Sequence, residues 1–434
     1  MKGQKSVRRV VVRGGARLSG EVAAPPSKPY SHRALICSAF SQGASKIVNL
    51  SLCEDSMATV SVLNGMGAEI EIETEPGAST ALARGSIPLE PETVLCCAES
   101  ASTLRMCLPL AASQGFFSVF AGEGSLLKRP VGPVLEALSS LGVDVRSRKG
   151  YVPVAIDSKG FSSDRVAVSA GFGSQHVSGL LLCAPLSPRG MRVEILGEVV
   201  SKPYVDLTVS VMRVFGVAVE RKGYERFEVE PGQRYEGREL VVPGDYSSAS
   251  FLMAAALSTR SEVTLLGLAK EGLPDYKVLE VLGEFGAEPR FESGKLTISG
   301  GKLRGTEVDC RDIPDLVPPL AVVALLAEGS SRLRGVSRLS AKESSRAQAL
   351  VSELGKMGGK LRLEGEDLVV HPSGRLRGCA VSSWCDHRIE MALAAAALGA
   401  EGETTIEDAM KVSKSYPGFY EDLARLGAEI DAGQ

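Results

Sequence analysis

The chain has 434 residues, 44% of them hydrophobic and 23% charged, the composition of an ordinary globular protein with two or three domains or one repeated architecture. Forty-nine Lys and Arg against 52 Asp and Glu leave a formal charge of −3, which excludes a broad polybasic surface for nucleic acid or acidic membranes. Apolar runs such as Leu320 to Ala327 fall far short of the ~20 residues that span a bilayer, and the basic start MKGQKSVRRVVVRGG lacks the apolar stretch of a signal peptide. No C-x-x-C pair occurs, and Cys37, Cys107 and Cys183 lie in apolar or helical stretches. These features predict a cytoplasmic protein with reduced thiols, without structural zinc or a disulfide framework.

In chain order, the first predicted helix opens at Ser27-Lys28 in PPSKPYSHRAL, with Arg33 a turn and a half after Lys28. A strand follows over Ser45 to Leu50, and a later helix ends at the corner MGAEI, Met66 to Ile70. The next helix opens at Ser100-Ala101-Ser102. In KRPVGPVLEAL, Arg129 stands before a Pro suited to a first helical position, and Val134, Leu135 and Leu138 recur at helical spacing ahead of LGVDV. Ser174-Gln175 opens another helix, Arg192 to Leu196 reads as a strand, and Ser201, Lys202 and Tyr204 head a helix that closes in FGVAV. Ser247-Ser248, a strand at Val263 to Leu266 and the corner FGAEP come next. Asp315 then introduces an apolar helix, Lys342, Glu343 and Arg346 begin another, and MGGKL closes it. Asp386, His387 and Arg388 open the helix of DHRIEMALAAAAL; a strand at Thr404 to Ile406, Lys414 in VSKSYPGFYEDL and the corner LGAEI complete the chain.

The six corners lie about 70 to 75 residues apart, a period that signals repeated supersecondary units. In each, a Gly ends an amphipathic helix in the left-handed conformation it adopts cheaply, and a strand follows. Each unit reads as β-α-β-α-β-β. One core does not easily hold six, which predicts two lobes of three.

Cations recur beside the helix starts, where the helix dipole favours acids. Each alone reads equally as a solvated surface residue or an exposed salt bridge. Lys342 and Arg346, four residues apart, repel each other unless an anion lies between them. The repetition therefore points to bound anions, since breaches of local rules gather at functional sites. The acid candidates are Asp315, which reads equally as an N-cap, and Glu343, whose ionisation the neighbouring cations would tune. No H-x-x-x-H, G-x-x-x-x-G-K-[ST] or G-x-G-x-x-G pattern appears, so metal hydrolysis, ATP-driven chemistry and dinucleotide binding have no support.

The strings PPSK, SKPYVDLT, GDYSSASFLMAAA, DIPDL, KESSR, DHR and SKSYPGFYEDL, in this order over nearly the whole chain, resemble the 5-enolpyruvylshikimate-3-phosphate synthase family. The resemblance implies an α/β, two-lobed enolpyruvyl transferase fold of six β-α-β-α-β-β repeats, three per lobe, with helix N-termini facing the interlobe cleft. It places residues 1–25 with 244–434 in one lobe and 26–243 in the other. It implies transfer of the enolpyruvyl group of phosphoenolpyruvate to the 5-hydroxyl of shikimate 3-phosphate, releasing phosphate, by a monomer without metal or organic cofactor, nucleic acid or membrane. Arg129, Arg346, Arg388 and Lys414 would hold phosphoenolpyruvate at a place lined by Ala101. Arg33, Ser174, Ser201, Asp315 and Lys342 would hold shikimate 3-phosphate. Lys28 and Gln175 would touch both, with Tyr204 near the shikimate ring. The resemblance assigns Asp315 as base, Glu343 as proton shuttle and Lys28 as a catalytic charge-balancing residue.

Several positions depart from the family pattern. Pro29 replaces a Ser after the cleft Lys, Gly173-Ser174-Gln175 replaces Ser-Ser-Gln, and Glu99-Ser100-Ala101-Ser102 replaces Asn-x-Gly-Thr. Glu343-Ser344-Ser345-Arg346 replaces Glu-x-Asp-Arg, and Arg338 stands for an Asn. Glu99 is expected to bring negative charge near phosphoenolpyruvate, and the Ala101 methyl to crowd the longer analogue glyphosate. The alternatives are a UDP-N-acetylglucosamine enolpyruvyl transferase, an RNA-terminal-phosphate cyclase-like enzyme and a non-catalytic relative that binds a phosphorylated sugar-like ligand.

Overall fold

A computed structural model describes residues 9–433 apart from Pro76, Phe172 and Glu271. The chain divides into two compact units, one of Met1–Pro25 with Gly244–Gln434 and one of Pro26–Pro243. Among the described residues there are six four-stranded sheets, and all share one pairing pattern. In the sheet that begins at Arg165–Ser169, that strand runs parallel to Met191–Leu196. Met191–Leu196 pairs antiparallel with Arg226–Val229, which pairs antiparallel with Glu220–Lys222. Each sheet thus joins one parallel pair to two antiparallel ones; where the strands are consecutive in the chain, the parallel pair spans a helix and the last two strands form a hairpin.

The repeats are not all built from consecutive chain. In Pro26–Pro243, the sheet of Ser45–Val48 takes its parallel partner from Glu239–Val241, almost two hundred positions later. In the other unit, Glu21–Ala23 pairs with Glu262–Leu266, and Arg9–Arg13 inserts between Glu403–Glu407 and Ile430–Asp431. The repeat period lies in the sequence, whereas these exchanges join strands far apart along the chain, with the unit Pro26–Pro243 inserted whole into the other.

The predicted corners have a common conformation. Gly67, Gly142, Gly216, Gly286, Gly358 and Gly427 have φ of 87, 86, 87, 91, 93 and 105°, a region closed to most side chains. Inside each unit the first helix of each repeat is buried nearly all round. Tyr246–Ser258, Val317–Leu326 and His387–Leu398 pack on one another in one unit, and every residue of the first and last is buried. Their apolar surface is therefore continuous rather than a stripe, as a central helix requires. Lys28–Ala39, Ala101–Ser113 and Gln175–Cys183 play the same part in the other unit, with Cys37, Cys107 and Cys183 among their buried residues. The second helices, such as Arg346–Lys356, bury one face only. No helix among the described residues is long and apolar enough to cross a membrane.

Three predicted starts shift. The helix expected at Ser247-Ser248 is capped two residues earlier by Asp245, whose Oδ1 accepts the Ser248 N–H at 2.8 Å. Arg129 closes the 3-10 turn Gly124–Lys128, and the helix behind it begins only at Gly132, with its Pro at 133. Lys342 follows a 3-10 turn, Ser337–Ala341, and lies ahead of the helix Arg346–Lys356.

Candidate active site

In the unit that contains Gly244–Gln434, the acids and cations singled out in the sequence form one cluster. Asp315 lies in the 3-10 turn Pro314–Leu316, immediately before Val317–Leu326, and caps no helix. Its Oδ1 accepts from Lys342 Nζ at 3.2 Å and Arg346 NH1 at 2.8 Å, and its Oδ2 lies 3.3 Å from Arg388 NH2. The N-cap reading of Asp315 is thereby corrected, while Lys342 and Arg346 have the intervening anion that their spacing calls for. The anion between them is this carboxylate. Burial works against its charge, but Arg388, Lys342 and Arg346 outweigh that cost and hold the Asp315 carboxyl well below its usual range.

Arg346 is 1% exposed and meets three acids: Nε reaches Asp386 Oδ2 at 2.9 Å and NH2 reaches Glu343 Oε2 at 2.5 Å, besides Asp315. Burial alone would lower its pKa; Asp386, Glu343 and Asp315 raise it instead, so the guanidinium stays charged. Asp386 caps the helix His387–Leu398 through the Arg388 N–H, and its other oxygen also accepts from Ser344. Arg388 reaches Ser247 Oγ at 2.6 Å and the Asp315 carbonyl at 3.3 Å. Three helix starts, at Tyr246, Val317 and His387, therefore converge on one group of charges. Lys414, 5% exposed, ends the 3-10 turn Val412–Lys414 that packs on His387–Leu398. Arg338 donates to the Arg311 carbonyl; burial lowers its pKa, while Asp315 and Asp312 act the other way.

The other unit gathers its own set. Lys28 opens the helix Lys28–Ala39, and its Nζ bonds Asp55 Oδ2 at 2.8 Å, with the two side chains 13% and 7% exposed. The Asp55 carbonyl accepts from Thr103 Oγ1 at 3.2 Å; Thr103 lies 2.7 Å from Thr59 Oγ1, which lies 2.7 Å from His32 Nδ1. Burial pushes the His32 imidazole down to about 3, so this chain of hydroxyls ends in a neutral ring. Gln175 joins two helices: its Nε2 donates to Ser102 Oγ at 2.8 Å and its Oε1 accepts from Arg105 NH1 at 2.7 Å. Arg105 in turn donates to the carbonyl of Pro130, beside the buried Arg129.

Arg33 is 1% exposed and donates to Thr208 Oγ1, Ser178 Oγ and the carbonyls of Pro29 and Tyr204. It ties its own helix to two others, which leaves little of its donor fork for a ligand. Pro29, one of the departures, serves as one of those acceptors. Ser174 and Ser201 are buried at the starts of Gln175–Cys183 and Lys202–Val214, and Ser201 has a left-handed φ of 58°. Ala101, 1% exposed, is the first residue of Ala101–Ser113, capped by Ser100. Glu99 Oε2 accepts from both the N–H and the hydroxyl of Ser125, at 2.9 and 2.5 Å. Ser125 lies in the turn ahead of Arg129.

Sequence reading missed Asp55 and Arg105. Nothing distinguishes Asp55 from any acid in a first helical turn. Arg105 carries a legible signal, a charged residue inside the apolar run LRMCLPL, where only a paired group is tolerated. Among the described residues no group of three or more His, Cys, Asp or Glu is placed to hold a metal ion.

Residues 12–423 match the family model described as EPSP synthase (3-phosphoshikimate 1-carboxyvinyltransferase). The chain belongs to the EPSP synthase family. Relatives include the 3-phosphoshikimate 1-carboxyvinyltransferase of Methanopyrus kandleri, 40% identical over 98% of this chain and 99% of that one. That of Methanocella arvoryzae is 39% identical, over 95% and 97%. The EPSP synthase structure from Acinetobacter baumannii superposes with a TM-score of 0.81 at 26% identity, covering 98% of this chain and all of that one. The enolpyruvyl transferase NikO from Streptomyces tendae, at 19% identity and a TM-score of 0.76 over 98% of each chain, shares the fold.

Proposed function

We propose that this EPSP synthase family member transfers the enolpyruvyl group of phosphoenolpyruvate to the 5-hydroxyl of shikimate 3-phosphate and releases phosphate. The observation that carries the reading is the set of three cations, Lys342, Arg346 and Arg388, gathered on the single carboxylate of Asp315. Cations so placed suit a small polyanion: Arg forks match planar carboxylate and phosphate oxygens, and Lys supplies a point charge. Arg346, Arg388 and Lys414, with Lys28, Arg129, Gln175 and the wall at Ala101, are read as phosphoenolpyruvate contacts. Lys28, Ser174, Gln175, Ser201, Asp315 and Lys342 are read as contacts to shikimate 3-phosphate, with Arg33 acting chiefly through the helices it ties together.

In this reading Asp315 takes the proton of the attacking hydroxyl, and Glu343 delivers a proton to the methylene carbon, with Lys28 balancing charge; the tetrahedral intermediate then gives a methyl proton back to Glu343 as it expels phosphate, which restores the double bond. Without substrate, Asp315 is a weak base because its neighbours hold it low. An incoming anion that draws Arg346 and Arg388 to itself relieves that hold and raises the basicity of Asp315 when a base is needed. The reading also includes a monomer in the cytoplasm that uses no cofactor. It is tested by phosphate release with the two substrates together and each alone; release with phosphoenolpyruvate alone, or none with both, counts against it.

A further inference from the structure

Arg388 and Glu390 lie two residues apart on the helix His387–Leu398, and the reaction described above uses only Arg388. Glu390 is fully buried. Its Oε1 accepts the Met410 N–H at 2.7 Å and the Tyr420 hydroxyl at 2.8 Å, and its Oε2 accepts the Lys411 N–H at 2.7 Å. Met410 has φ +69° and Lys411 φ −85°, a left-handed residue followed by a right-handed one. That alternation turns successive N–H groups to one side and makes a concave backbone seat for an anion. Glu390 fills the seat. Asp408, at φ +55°, adds a second strained residue to the same turn, and such residues persist where their surroundings hold them.

The next turn of chain carries Lys414, whose N–H bonds the Lys411 carbonyl at 3.1 Å, while the Ser415 N–H bonds that of Val412 at 3.0 Å. The backbone from Glu390's seat to Lys414 is thus continuously hydrogen-bonded. We propose that Glu390 is a positioning residue: by gripping the Met410 and Lys411 amides it sets Lys414 relative to Arg388 and so tunes affinity for phosphoenolpyruvate. The proposal rests on the reading of Lys414 as a phosphoenolpyruvate contact.

Steady-state phosphate release by the full chain tests it with Glu390→Gln, Lys414→Ala and the double variant. Gln accepts with one oxygen but turns an NH2 toward the other amide. Loss of one such bond to a charged acceptor is expected to raise KM for phosphoenolpyruvate about tenfold, with KM for shikimate 3-phosphate and kcat changed less than about threefold. In the Lys414→Ala background, Glu390→Gln is expected to have no further effect on KM for phosphoenolpyruvate, which general loosening of the fold would not produce. If Lys414→Ala raises that KM and Glu390→Gln does not, or if the two effects multiply, the proposal is overturned while the contact stands. If Lys414→Ala leaves it unchanged, the contact falls and the proposal with it. Should Glu390→Gln fail to fold, Tyr420→Phe decides: it keeps both amide bonds and is expected to raise the same KM about two- to threefold, and no change there overturns the proposal.

Discussion

An Asp at a helix start ordinarily accepts a backbone N–H; Asp315 meets three cations instead. Asp315→Asn keeps the shape and removes the charge, so kcat is expected to fall by about 10²-fold or more, the scale of losing a general base. Steady-state kinetics with both substrates check this, and near-normal kcat would refute the assignment. Asp315 also has a pH signature. Its folded-state pKa lies below the ordinary Asp value, so its contribution to stability is present above that value and is lost as the pH falls through the lower folded one. At Ala101 the methyl is fixed: Ser100 accepts both the N–H and the hydroxyl of Thr103, and Thr103 is tied to Thr59 and the Asp55 carbonyl. A helix start so pinned does not shift to absorb a longer ligand. Ala101→Gly is therefore expected to tighten glyphosate inhibition about 10- to 200-fold, a methyl-sized discrimination, as read from the inhibition constants of the two proteins.

At the scale of elements, the turn Gly124–Lys128 is held by Glu99 acting on Ser125 and by Arg148, whose NH2 donates to the Leu127 carbonyl at 2.9 Å. Gly124 has φ +51°, and a Cβ there would collide with the Glu99 carboxylate, so turn and acid fit as a pair. Arg129 follows directly. Glu99→Ala is expected to raise KM for phosphoenolpyruvate by about tenfold through loss of these bonds, whereas Glu99→Gln, which retains an acceptor, should stay within about threefold. Initial rates at varied phosphoenolpyruvate separate the two. Elements of this kind mark how far the sequence can be read. The six Gly corners were legible because only a left-handed position demands that residue, and the helix starts at Ser27, Ser100 and Asp386 because those side chains cap them. The partners were not: Glu99 on Ser125, Asp55 on Lys28 and Glu390 on two amides join segments that strings of residue types do not align. The exchanged strands were hidden likewise, since Glu239–Val241 and Glu21–Ala23 are only three residues long and their partners lie far along the chain.

For the whole molecule, the buried His32 couples stability to pH. Its folded value is about 3 against an ordinary 6.5, so the unfolded chain takes up a proton below 6.5 that the folded one refuses. Stability is full above that pH and falls by about 1.4 kcal/mol per unit as the pH drops toward 3. His176, also held low by burial, adds to the fall. Denaturation at stepped pH is expected to show a shallower slope in His32→Gln, by up to one proton; an unchanged slope would exclude His32 as a source. The inserted strand Arg9–Arg13 has a consequence for synthesis. Arg13 emerges from the ribosome 390 positions ahead of Glu403, on the strand it joins, roughly 20 to 80 s at ordinary elongation rates. Throughout that interval RVVVR is a Val-rich segment with no mate, open to pairing with any nascent neighbour. An Arg at each end is what discourages such pairing, so these two surface charges guard the chain while it is being made.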